Sequence, residues 1–566
     1  MYRTIRMLLL LVLAASAHAA TIKTEPFAFK AEDGTVVQIE RGELRVPENR
    51  AKSDSRTITL RFVRFPSTAK TPGAPIVYLA GGPGGSAIVS AQGTRFPLFM
   101  AMREFGDVIA LDQRGVHDSE PDLRCKETFI ADPSKPLERA SIAAMVAAEK
   151  QCVERTGADA AAYNTRESAA DLNDLRTAIG ARKLVLWGIS YGTHLAIATM
   201  RDYPDAVERV ILAGIEGPDE TYKLPSDQQL LIEDYARVVA HDPVVGPRVP
   251  DLVASIDRVL RELEAHPKSV ALTHPINKQR VAMTFGKLDL QLELANRLFA
   301  PENFAGVPDL IARLEGGDWT ALALAAAQTR FGNAPTVMSV AMDCASGVTA
   351  ARRARIAEEA KTTLLGDAIN LPFPEICEAV NVPDLGDAFR APLVSDIPAL
   401  LISGTLDGRT RPRQAEELRR TLKNAQHLVI ENAGHSDPLF LSSPLILDAM
   451  KAFLRGGVIP QRYITLPPPR FIPVRTVMAL PDEKLADYAG DYRIDAKTVR
   501  HVIQAGSVLY AMRDGSQPFA IRPTAPDTFF YENMPSTITF ERDRAGKVVA
   551  MTLRNLGQPP QRAVKE

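Results

Sequence analysis

The chain has 566 residues, 46% hydrophobic and 24% charged, with a formal net charge of −1 at pH 7. That length exceeds one ordinary domain, and the composition is that of a globular protein rather than a disordered or fibrous one. Balanced charge and the lack of any dense Lys/Arg run exclude a polyanion-binding protein, so no nucleic-acid partner is expected.

Residues 1–19 read as a signal peptide. Arg3 and Arg6 precede a short apolar run at 7–15, and Ala17, His18 and Ala19 fit a small-x-small cleavage pattern. The run is too short to span a bilayer comfortably, and no later stretch approaches that length. The expectation is an exported protein, periplasmic or secreted, with no stable membrane insertion. Four cysteines follow: Cys125, Cys152, Cys344 and Cys377. An even number in an exported chain suggests two disulfides. Three pairings are open, with buried free thiols as the alternative; nearness in sequence favours Cys125 with Cys152 and Cys344 with Cys377. No C-x-x-C pair or H-E-x-x-H motif is present, so neither a metal site nor a cofactor is expected.

Alternating apolar and polar residues at 36–46 and 57–65 predict an antiparallel hairpin at a sheet edge. A buried strand at 75–80 then runs into Gly-Gly-Pro-Gly-Gly-Ser at 81–86. No Lys-Ser/Thr follows, so this is not a phosphate-binding P-loop. Glycines directly after an early strand suit an oxyanion loop, where backbone N–H groups face a developing negative charge. Another strand is expected at 105–111, and residues 137–180 read mostly as helix. Thr165 and Ser168 are candidate N-caps there.

Residues 183–200 organise the rest. An apolar strand, a Gly-Ile-Ser-Tyr-Gly turn and an Ala/Leu/Ile-rich helix are the context of a G-x-S-x-G nucleophile elbow, with Ser190 exposed at the strand's end. A further strand is read at 207–214 and the next convincing one only at 398–403. The long gap carries helical patterns at 227–239, 252–265, 288–298, 319–327 and 348–364, and implies an inserted cap over the carboxyl edge of a parallel sheet. A helix at 413–422, a strand at 426–431 and a helix at 444–455 complete the α/β rhythm. A Pro-rich stretch reads as linker, and alternating segments beyond 502 read as a small β module. The fold class is α/β: a sheet with an inserted helical cap, plus a C-terminal all-β module. Its divisions are a catalytic α/β domain at 20–217 and 391–458, a cap at 218–390, a linker at 459–479 and the β module at 480–566.

A serine hydroxyl needs an imidazole to take its proton and a carboxylate to orient that imidazole. In this fold class the order is Ser, acid, His. His435 sits in a loop just after the strand at 426–431, whereas His427 is a strand residue. Asp407 follows the strand at 398–403, whereas Asp396 lies at the wrong end of the sheet, and Glu416 and Glu417 fall on the next helix. The expected triad is Ser190, Asp407 and His435. His194, one helical turn after Ser190, is read as a packing residue. The expected oxyanion donors are the backbone N–H groups of Tyr191 and Gly82.

Together these motifs resemble the α/β-hydrolase serine aminopeptidases: proline iminopeptidases and, more closely, secreted tripeptidyl-aminopeptidase-like enzymes. The resemblance rests on Gly-Gly-Pro-Gly at 81–84, Asp-Gln-Arg-Gly at 112–115 with Ser119, and Tyr-Asn-Thr-Arg at 163–166. Gly-Ile-Ser-Tyr-Gly-Thr at 188–193, Gly-Thr-Leu-Asp at 404–407 and Gly-His-Ser at 434–436 complete it. It covers about residues 40–456, the cap weakly. It implies an α/β-hydrolase fold and cleavage of peptide substrates from a free N-terminus, with acidic side chains binding the ammonium. Glu216, just after the strand at 207–214, is the candidate for that role. Two residues depart from the family pattern: Ala80 stands where it has His, and His117 where it has Gly. A carboxylesterase on the same fold and a non-catalytic binding protein are the competing readings.

Overall fold

The computed structural model describes residues 20–532, 534–555 and 558–566. The leader reading therefore lies outside the described residues. β1 (Thr21–Lys30), β2 (Val36–Pro47) and β3 (Thr57–Phe65) form an antiparallel meander. The expected hairpin is thus three-stranded. β1 escaped a pattern reading because it is largely exposed on both faces and shows no clean alternation. β4 (Ile76–Leu79) and β5 (Val108–Leu111) follow, each buried along its whole length. β6 (Thr128–Ile130) is a short strand outside the main sheet. Next come β7 (Leu184–Ser190) and β8 (Val207–Ile215).

Between β8 and β12 (Ala399–Gly404) lies the long insertion. Helices form at Pro225–His241, Leu252–Ala265, Lys287–Arg297 and Thr320–Arg330, close to the periodic segments. The insertion is not all helical. β9 (Lys268–Thr273) and β10 (Arg280–Phe285) make a hairpin within it, and β11 (Phe331–Asn333) pairs with β6. β13 (Ala425–Glu431) and β14 (Tyr463–Thr465) end the main sheet. β14 falls inside the stretch read as linker and pairs in parallel with β13. Its three residues are too few to show a period.

The sheet order is β1-β2-β3-β5-β4-β7-β8-β12-β13-β14, parallel from β5 to β14. This is the α/β-hydrolase sheet. Apolar side chains fill both of its faces, with Leu186, Leu195 and Leu212 on one side and Trp187, Phe99 and Phe440 on the other. That explains why β4, β5 and β7 read as continuous apolar runs rather than alternating ones. The helix Thr165–Ala178 is capped by Asn164, whose side chain accepts from the Glu167 amide, not by Thr165 or Ser168. The last segment is a closed antiparallel barrel of β15 (Gly490–Arg493), β16 (Val499–Ala505), β17 (Val508–Arg513), β18 (Phe519–Ala525), β19 (Thr528–Tyr531), β20 (Thr537–Arg542), β21 (Val548–Arg554) and β22 (Gln561–Lys565). Tyr492, Phe529, Ile538 and Phe540 fill its interior. Disulfides join Cys125 to Cys152 and Cys344 to Cys377, the pairing that sequence proximity favours. No helix among the described residues is long and apolar enough to cross a membrane.

Candidate active site

Ser190 ends β7 and immediately precedes the helix Tyr191–Asp202, with φ 55° and ψ −128°. A non-glycine residue at positive φ is strained by about 1–3 kcal/mol, and the surroundings must hold it there. Two glycines make this turn fit. A Cβ on Gly192 would lie 2.1 Å from the Leu79 carbonyl oxygen, and one on Gly188 would lie 2.6 Å from the Gly192 oxygen. The helix can therefore start hard against β4 only because both positions lack side chains. The Thr193 hydroxyl donates to the Ser190 carbonyl at 2.7 Å and accepts from the Glu216 amide at 2.8 Å, tying the elbow to the end of β8.

The loop at 81–86 packs directly on this turn. A Cβ on Gly81 would sit 2.9 Å from the Ser190 Cβ, and Gly82 has φ +122°. Tyr191 is the first residue of its helix, so its N–H is one of the amides with no intrahelical acceptor.

Asp407 and His435 come from the turns after β12 and β13. The His435 Nδ1 lies 2.8 Å from Asp407 Oδ2. Asp407 is 0% exposed and His435 4%. Asp407 also accepts from the amides of Arg409 and Thr410, each at 2.7 Å, and from the Thr410 hydroxyl at 2.7 Å. Burial pushes its carboxyl up, but the imidazole and the Thr410 hydrogen bonds outweigh that and hold it below the usual carboxylate range. An ionised Asp407 fixes the Nδ1–H tautomer of His435 and leaves Nε2 as the free basic nitrogen. Arg95 fastens the far side of the histidine loop, donating to Ser436 Oγ at 2.9 Å and to Asp437 Oδ1 at 2.7 Å.

Ser190, His435, Gly81 and Gly82 line one cavity of about 500 Å³. The inserted segment roofs it. The His435 amide donates to the Phe299 carbonyl at 3.3 Å, and the Phe299 ring meets the imidazole edge-on at 5.0 Å. A Cβ on Gly408 would lie 1.9 Å from the Leu298 oxygen, so the roof and the Asp407 loop are in backbone contact. Glu216 lines the cavity, but it is not free: Lys223 Nζ donates to its Oε2 at 2.6 Å. Asp343 and Arg409 line the same space. Burial pushes the Asp343 carboxyl well up, and the Glu216 charge adds to the rise. His194 is buried on the elbow helix with Nδ1 3.0 Å from the Gly217 oxygen, a packing position. His427 lies in β13 between Glu416 and Ser403.

Thr410, Asp343, Lys223 and Arg95 were not among the residues singled out from sequence. Thr410 had a legible signal, since a hydroxyl three residues after an Asp in a turn suits local capping. Asp343 had none: it sits on the helix Val337–Ser346, far from every motif along the chain.

A family model described as alpha/beta hydrolase fold matches residues 74–252, and one described as TAP-like protein matches residues 366–465. Serine protease Hip1 of Mycobacterium tuberculosis is 32% identical over 188 residues, covering 31% of this chain and 36% of that protein. The match thus spans about a third of that relative's length. Tripeptidyl aminopeptidase of Streptomyces coelicolor is 25% identical over 472 residues, covering 76% of this chain and 83% of that one. Putative hydrolase YuaR of Escherichia coli is 26% identical over 164 residues, 29% of this chain and 32% of its own. These findings bear out the resemblance to α/β-hydrolase serine aminopeptidases.

Proposed function

We propose that this chain, an α/β hydrolase, is an exported serine aminopeptidase that releases N-terminal residues or short peptides through an acyl-enzyme. The observation that carries the reading is the buried Asp407–His435 hydrogen bond at 2.8 Å, with Ser190 on a strained elbow in the same cavity. The two disulfides support export to an oxidising compartment.

In this mechanism Ser190 Oγ attacks the scissile carbonyl while His435 Nε2 takes its proton. The carbonyl oxygen becomes an oxyanion held by the Gly82 and Tyr191 amides. The amine leaves with the proton from His435, and water then hydrolyses the ester by the reverse sequence. Glu216 presents a carboxylate to the substrate ammonium, and that cation favours ionisation of the neighbouring Asp343, whose carboxyl burial and the Glu216 charge otherwise push up. That ammonium enters beside the Lys223–Glu216 pair rather than meeting an unpaired Glu216.

A substrate panel tests this. It sets free and N-acetylated proline, alanine and tripeptide p-nitroanilides beside a short-chain p-nitrophenyl ester, with wild type and Ser190→Ala. Turnover of free-amine peptides is expected, with N-acetylation abolishing it and Ser190→Ala lowering kcat by about 10⁴–10⁶-fold. Turnover of the ester alone would move the protein to the carboxylesterases.

A further inference from the structure

His117 occupies the position where the resembled family carries Gly, and its backbone explains that preference. Its φ is 51°, in the left-handed region that glycine adopts freely and a residue with Cβ does not. A histidine held there carries a conformational cost that its side-chain contacts must offset. Its Nδ1 lies 3.3 Å from Oδ2 of Asp112, which is 0% exposed. Among the described residues, His117 is the one basic side chain within ion-pair distance of Asp112.

Asp112 in turn holds the oxyanion loop. Its carboxylate accepts from Ser86 Oγ at 2.8 Å and from the Ile88 amide at 3.1 Å. Ser86 closes the loop at 81–86 and caps the helix Ala87–Gln92, accepting from the Val89 amide at 3.0 Å. The Gly85 amide donates back to the Gly81 carbonyl at 3.0 Å, so the clamp at Ser86 is transmitted to the glycines beside Ser190.

We propose that His117 is a positioning residue: its imidazole keeps Asp112 ionised, and through Ser86 this holds the oxyanion loop in register with Ser190. The inference rests on the serine-hydrolase reading of the site but not on its substrate. Burial pushes the Asp112 carboxyl up, and the hydrogen bonds from Ile88 and Ser86 and the His117 charge oppose that. A protonated Asp112 loses acceptor capacity on one oxygen and loosens the clamp. Because burial pushes Asp112 up and the His117 charge opposes that rise, loss of the imidazole is felt on the acid side of the profile. The other charged groups facing His117 are Asp118, 3.5 Å from Nδ1, and, across a cavity walled by β1–β3, Lys23, the Arg41–Glu25 pair and the Arg61–Glu43 pair.

The test measures the rate of Ser190 modification by a fluorophosphonate from pH 5.5 to 8.5, a step that forms the Oγ–P bond and expels fluoride. Wild type is set beside His117→Gly and His117→Asn, which both suit the backbone, and His117→Lys, which retains a cation. The Gly and Asn variants are expected to lose about 3–10-fold at pH 6 and to approach wild type by pH 8.5. The Lys variant is expected to keep the wild-type acid limb. Gly and Asn profiles that follow wild type, or that fall equally at every pH, would overturn the positioning role. Failure of the wild type to label at Ser190 would instead overturn the functional reading, and this inference with it.

Discussion

Asp407 and Glu149 are both buried carboxylates, and their partners give them opposite behaviour. Asp407 accepts hydrogen bonds from Arg409, Thr410 and His435, which keep it ionised. Glu149, 0% exposed beside the Cys125–Cys152 bridge, has an Oε1 with no hydrogen-bond partner. Burial, with the nearby Glu127 charge, pushes its carboxyl up to about 7. Because the folded value lies above the unfolded one, protonated Glu149 suits the native state, and the cost of ionising it appears as pH rises from the ordinary carboxylate range through about 7. Glu149→Gln should therefore stabilise the protein by about 1–2 kcal/mol at pH 8, after discounting for screening, and by almost nothing at pH 4.5. Thermal melts at the two pH values check this; an equal effect at both would rule it out. The placement of Ser190, Asp407 and His435 was legible in sequence because each follows the end of a strand. Glu149 was not, since on a helix it reads as an ordinary solvated acid.

At the scale of the element, the elbow depends on how closely the helix Tyr191–Asp202 approaches β4. Gly192→Ala would place a methyl 2.1 Å from a backbone oxygen of Leu79, an atom that cannot swing away. Overpacking of this kind costs about 1–3 kcal/mol. The movement that relieves it also shifts the Tyr191 amide. The variant should fold with reduced stability and label with a fluorophosphonate at least about 10²-fold more slowly, the loss typical of one misplaced oxyanion donor. Denaturant unfolding and labelling kinetics together measure it; a stable variant that labels normally would contradict the packing argument. Strands β4, β5, β7, β8, β12 and β13 were legible because burial on both faces leaves long apolar runs. The hairpin β9–β10 was not, for its buried residues are only Leu272, Met283 and Phe285, the other positions swing between half-buried and exposed, and both strands lie among strong helical periods.

Across the whole molecule, the barrel is joined to the inserted segment through a charge cluster. Arg313, on the helix Val307–Glu315, donates to Glu532 Oε2 at 2.7 Å, and both side chains are about 5% exposed or less. Arg475 pairs with Asp309 at 2.6 Å and stacks on Phe530 at 3.9 Å. Glu532→Gln removes one of three counter-charges of Arg313 and leaves Asp309 and Asp318, at 3.3 and 2.9 Å, to hold it, so the loss is that of one charged hydrogen-bonded pair, about 1.5–3 kcal/mol. A lowered melting temperature is expected, with kcat/KM on the best peptide substrate within about 3-fold of wild type, since among the described residues none of the barrel lines the cavity at Ser190. A large loss of kcat/KM at unchanged stability would show that the barrel acts in catalysis.

By itself the sequence determined the α/β sheet, the order of its strands' motifs, the elbow and the pairing of histidine with acid. These follow from local rules: apolar period, glycine at a tight turn, and a base placed after a strand. Tertiary structure alone decided what surrounds the cavity at Ser190. Asp343 reaches it from a helix in the insertion, Lys223 neutralises Glu216 from seven residues away, and Leu298 and Phe299 press on the loops that carry Asp407 and His435. Such contacts join segments far apart along the chain or arise from how a loop folds back, and neither leaves a period or spacing to read. His117 stands between the two cases: its departure from the family's glycine was visible in the chain, but the strained φ and the buried Asp112 beside it exist only once the fold has closed.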